Sequence, residues 1–153
     1  MKRIMLSACL FLTVATSAQT DRTFLKSKLA AERHLPFSSG VRVGDTLYVA
    51  GTTVDPAKIG PPLSPEQEAS EVMEQVKQTV EQAGMTMDDV VSVQVFCTDL
   101  VNYDAFNGAY RKYFREDYPA RTFVGVATLL FGARFEVNAV AVSHAKKGAA
   151  AAR

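Results

Sequence analysis

Between Ser64 and Gly84 the chain carries one helix with both ends marked in the sequence. Ser64 is an N-cap residue, Pro65 suits the first helical position, and Gln67 completes a capping box. Val72, Val76, Val80 and Ala83 recur at helical spacing with Met73 beside them, and Gly84 supplies a positive-φ terminus. The spacing predicts a helix from about Pro65 to Ala83. A helix with one apolar stripe must bury it against another element, so the rest of the chain has to provide a partner layer.

That partner is a sheet. In "VVSVQVFCT" (Val90–Thr98), Val91, Val93, Val95 and Cys97 fall on one face and Ser92, Gln94, Phe96 and Thr98 on the other. Cys97 on the apolar side reads as packed core. "SSGVRVGDTLYVAGTTV" (Ser38–Val54) reads as a hairpin turning at Gly44-Asp45, and Asp55–Pro62, with three prolines, reads as loop. "NYDAFNGAYRKYF" (Asn102–Phe114) sets Tyr103, Phe106, Tyr110, Tyr113 and Phe114 at helical spacing, a second amphipathic helix with an aromatic core stripe. Two further strands are expected at about Thr122–Ala127 and Arg134–Val142, around a loop containing Gly132. The order implies an α+β unit: a mixed or largely antiparallel sheet with two helices on one face. The other sheet face, expected to carry Phe96, Phe123 and Gln94, is too apolar to sit in water, so a second subunit is expected to cover it.

The 153 residues suit one domain, and 48% hydrophobic against 22% charged residues excludes a disordered chain. The N-terminus has the three parts of a secretory signal. "MKR" is basic, "IMLSACLFLTVA" is apolar, and "TSA" offers small residues before Gln19. The expected organisation is a cleaved signal over 1–18, an arm over 19–36 with a short helix or strand, the domain over 37–144, and a tail over 145–153. The mature protein is then expected to be exported, periplasmic or secreted, and cytoplasmic if the N-terminus is not a working signal. No membrane association is expected after cleavage. Cleavage leaves 15 basic against 16 acidic side chains, a charge of −1 that provides no field for nucleic acid phosphates. It also leaves Cys97 as the single cysteine; with His34 and His144 far apart, no metal-ligand spacing remains.

Two residues stand out as candidate chemistry. Arg121, in "YPARTFVGVA" (Tyr118–Ala127), is a guanidinium at the mouth of an apolar strand, and such a group needs a negative partner. Glu136 lies in "ARFEVNAVAV" (Ala133–Val142), where alternation puts Arg134, Glu136 and Asn138 on one face. A partly enclosed carboxyl there can move a proton. Plainer readings stand beside this one: Arg121 and Glu136 pair with each other, or Glu136 is the solvent side of an amphipathic strand.

Over roughly Leu35–Val142 the chain resembles the RidA (YjgF) family of enamine and imine deaminases. The motifs that carry the resemblance are "LYVAGTTV", "VEQAGM", "DVVSVQVFCTDLVNYDAFNGAYRKYF", "YPARTFVGVA" and "FEVNAVAV", in order. It implies a chorismate-mutase-like fold, a homotrimer with three clefts between subunits, and hydrolysis of reactive 2-imino and 2-enamino acids to 2-keto acids and ammonia, with no cofactor. It also implies that Arg121 clamps the substrate carboxylate and Glu136 holds or activates the attacking water. Gly51 would line the cleft, with Asn107 nearby and the Phe123 backbone beside the water. Phe37, Ala50, Phe123 and Asn138 replace a tyrosine, serine, cysteine and glutamate common in the family, which makes the pocket more apolar. An alternative is a non-catalytic binder of small carboxylate-bearing ligands in the same clefts.

Overall fold

The capped helix forms where its signals lie. In the computed structural model, which describes residues 21–54, 63–114 and 117–143, α2 spans Pro65–Gln82. Ser64 Oγ accepts from the Gln67 N–H and the Gln67 side chain accepts from the Ser64 N–H. Gly84 follows at φ +74°. Val72, Met73, Val76 and Val80 are fully buried; at roughly 1.5–2 kcal/mol each they supply most of the helix's docking energy.

The layer beneath is a six-stranded mixed sheet in the order β1-β2-β3-β6-β4-β5. The strands are β1 (Arg22–Leu25), β2 (Gly40–Val43), β3 (Thr46–Thr53), β4 (Val90–Cys97), β5 (Ala120–Gly125) and β6 (Phe135–Val142); the other helices are α1 (Lys28–Glu32) and α3 (Tyr103–Tyr110). The stretch expected as an arm therefore contributes both a strand paired with β2 and a short helix. The hairpin turns at Gly44, φ +57°. All pairs are antiparallel except β4–β5, because the connection between those two carries α3, the crossover a parallel pair needs. The expected signal segment lies outside the described residues, as do the whole of the expected tail and the loop over 55–62.

Alternation in β6 is regular: Phe135, Val137, Ala139 and Ala141 are buried and the residues between them half-buried. Phe106 fastens α3 to this face, with its ring centroid 5.1 Å from Phe135 and 5.4 Å from Phe123.

Three expectations are corrected. Val91 does not share the face of Val93, Val95 and Cys97; it is exposed, and Val90 is buried instead, because the register with β6 shifts between Val90 and Ser92. Phe123 is not on the outward face. It pairs in register with the fully buried Val95 and packs edge-on against Tyr103 at 5.0 Å. Arg134 does not share a face with Glu136 and Asn138. It stands just before β6, after a turn with Phe131 and Gly132 at positive φ, and reaches toward α2. Its N–H and Nη1 donate to the two Glu68 oxygens at 2.5 Å each, and Nη1 also to the Leu63 carbonyl at 3.1 Å.

The outward sheet face remains apolar without Phe123. Phe24 is 62% exposed and Tyr48 54%, with half-buried Val41, Phe96 and Val140 among them.

Candidate functional site

Arg121 and Glu136 do not meet within one chain. Directly paired residues on neighbouring strands point to the same side of a sheet, and residues an odd number apart on one strand point to opposite sides. Arg121 pairs with the buried Val93 of β4, and Glu136 with Phe96 of the same strand. Arg121 is therefore on the helical side and Glu136 on the outward side. No ion pair among the described residues contains either. Within one chain, therefore, the two residues do not satisfy each other.

Around Arg121 the chain builds an aromatic surround. Its guanidinium carbon lies 4.7 Å from the Tyr110 ring centroid, 5.7 Å from Tyr103 and 5.8 Å from Phe123, all within cation–π range. Nη2 donates to the Tyr103 hydroxyl at 3.3 Å. Tyr110 is 3% exposed, and its hydroxyl has no hydrogen-bond partner among the described residues. Burial pushes that phenol up to about 12, against the opposing field of Arg121. Its phenol therefore stays neutral at physiological pH, and the neutral ring presents its face to the cation. Asn107, half-buried, lies on α3 between these two tyrosines.

Around Glu136 the chain builds a tight backbone seat. β3 is irregular between Val49 and Thr52. A Cβ placed on Gly51 would overlap Glu136 Oε1, so the carboxylate lies against that glycine's open side. Ala50, half-buried, donates its N–H to the Ser39 carbonyl at 2.9 Å. That bond brings the loop carrying Phe37, 53% exposed, to the same end of β3. Half-buried Asn138 follows two residues after Glu136 and faces Gln94.

The expected site residues thus fall into two half-sites on one chain. Arg121 and Phe123 touch in one, with Asn107 on the adjoining helix α3, and Glu136 lies against Gly51 in the other, with Ala50 next to Gly51 in β3 and Phe37 on the loop that the Ala50–Ser39 bond holds. Sequence reasoning missed the role of Tyr103, which reads as part of the aromatic core stripe but is 43% exposed and touches Arg121. Its place at the outer end of that stripe was the available signal. Cys97 stays in the core, its thiol raised by burial and bonded to the Asp99 carbonyl at 3.0 Å. A groove of about 760 Å³ between α2 and the end of α3 is lined by Ser70, Glu74, Lys112 and Tyr113 among others, and by none of the expected site residues.

The chain is similar to known proteins in sequence and fold. A family model described as endoribonuclease L-PSP matches residues 27–143. A 2-iminobutanoate/2-iminopropanoate deaminase of Dermatophagoides farinae is 31% identical over 128 residues, covering 80% of this chain and 98% of its own. A solved Mycobacterium tuberculosis protein, described as a member of the YjgF/YER057c/UK114 family, superimposes with a TM-score of 0.70 at 25% identity, covering 80% of this chain and 99% of its own. Escherichia coli TdcF, solved with bound serine, superimposes with a TM-score of 0.65 at 32% identity, covering 70% and 87%.

Proposed function

The chain belongs to the YjgF/RidA family, and from that membership we propose that it hydrolyses 2-imino and 2-enamino acids to 2-keto acids and ammonia, in clefts between the subunits of a homotrimer. The observation that carries this reading is the division of the site. Arg121, with no carboxylate partner among the described residues, faces one side of the sheet, and Glu136 faces the other. A head-to-tail ring of three copies sets one half-site of each subunit against the other half-site of its neighbour. It also covers the apolar outward face.

The chemistry follows from the groups. Arg121 offers a planar fork to the substrate carboxylate and fixes the imine carbon relative to Glu136. The Glu136 carboxylate accepts a proton from a water whose oxygen bonds to that carbon. The proton passes to nitrogen, the C–N bond breaks, and ammonia leaves as the carbonyl forms. Water supplies the oxygen and two hydrogens, and nothing is oxidised or reduced. The apolar residues Phe37, Ala50 and Phe123 favour an uncharged substrate side chain. Signal cleavage and export belong to the same proposal and rest on the N-terminal pattern alone.

The test is turnover of imines generated in situ from several amino acids by an amino-acid oxidase, with imine loss followed by a trapping reagent. Wild-type protein is expected to accelerate the loss. Gly51→Ala pushes the Glu136 carboxylate from its seat and is expected to lower kcat by about 10–100-fold, with the melting temperature little changed. A folded trimer that accelerates no imine removes the proposal. Full activity in Gly51→Ala removes the seat.

A further inference from the structure

Arg121 is held before any ligand arrives. Its Nη2 is committed to the Tyr103 hydroxyl at 3.3 Å, and its plane is backed by Tyr110 at 4.7 Å. Tyr103 is itself fixed. Its ring stands edge-on to Phe123 at 5.0 Å and 81°. The turn that launches α3 is capped by Asp99, whose side chain accepts from the Val101 N–H at 3.0 Å. Packing alone does not require the hydroxyl, because a phenylalanine ring would meet Phe123 equally well. That hydroxyl has Arg121 as its partner among the described residues.

We propose that Tyr103 is a positioning residue of the carboxylate clamp, its hydroxyl fixing the rotation of the Arg121 guanidinium so that the remaining donors face the cleft. The inference rests on the reading of Arg121 as that clamp. A long, flexible side chain ordered in the free protein loses less freedom when it binds a ligand, and the gain is felt by carboxylate-bearing ligands only.

The trimer's binding of pyruvate and of pyruvamide, which has the same skeleton without the charge, separates this from a packing role. Titration calorimetry on wild type, Tyr103→Phe and Arg121→Ala is expected to show pyruvate held about three- to tenfold more weakly by Tyr103→Phe, as loss of one solvent-exposed hydrogen bond implies. Pyruvamide binding is expected to be unchanged, and imine turnover should show a raised KM at constant kcat. Equal pyruvate affinity in Tyr103→Phe and wild type, with Arg121→Ala impaired, overturns the inference alone. An equal loss for pyruvate and pyruvamide overturns it too, since the hydroxyl then acts through packing. Wild-type affinity in Arg121→Ala, or no pyruvate binding by wild type, overturns the reading beneath it.

Discussion

Arg121→Ala is expected to lower kcat/KM for 2-imino acids by about 10²–10³-fold, the loss of a bidentate charge-assisted pair to the substrate carboxylate. The fold should survive. Arg121 stands near the edge of the sheet, its interactions are one hydrogen bond and three ring contacts, and such contacts at partly exposed sites contribute on the order of 0.5–1 kcal/mol each. Arg121→Lys keeps the charge without the fork and is expected to recover only part of the rate. The measurement is imine loss at several substrate concentrations, beside circular dichroism and a sizing column. Near-wild-type kcat/KM in a folded Arg121→Ala protein would remove the guanidinium from the mechanism.

Glu68→Ala is expected to cost about 2–3 kcal/mol of stability, because Arg134, about a third exposed, is partly screened by water. Glu68 is 4% exposed and sits on α2 beside the apolar stripe. Its two oxygens take the backbone N–H and a guanidinium N–H of Arg134, tying the helix to the start of β6, the strand that carries Glu136. Truncation leaves the half-buried Arg134 N–H unpaired and its guanidinium with the Leu63 carbonyl in place of a carboxylate. Equilibrium urea unfolding reads the change, at one fixed protein concentration because the proposed assembly would make apparent stability concentration-dependent. A midpoint within about 1 kcal/mol of wild type would mean that α2 is held by its apolar stripe alone.

Much of this was legible in the chain. Local signals dominate where an element carries its own caps and period, so α2 begins and ends within a residue or two of its markers, and β6 alternates as its sequence does. Errors arose where neighbours decide. The face of Phe123 depends on the register of β5 against β4. The exposure of Val91 depends on a shift opposite β6. The direction of Arg134 depends on a glutamate 66 residues earlier. None of these is encoded in the residues' own period. The family motifs named Arg121, Glu136 and Gly51 together, while the chain divides them between two faces. Spacing along a sequence carries no information about which side of a sheet a residue faces once the strand register is set by its neighbours.

A mixed-oligomer complementation measurement decides whether Arg121 and Glu136 work together across subunits. Arg121→Ala and Glu136→Gln, each inactive alone, are unfolded together in equal amounts, refolded and assayed. In randomly mixed rings about a quarter of the clefts combine an intact Arg121 with an intact Glu136 from a neighbour, and activity should return to about a quarter of wild type. If the two residues act within one chain, every cleft retains a defect. Verified mixed oligomers would then stay as inactive as either parent, and the divided site would be wrong.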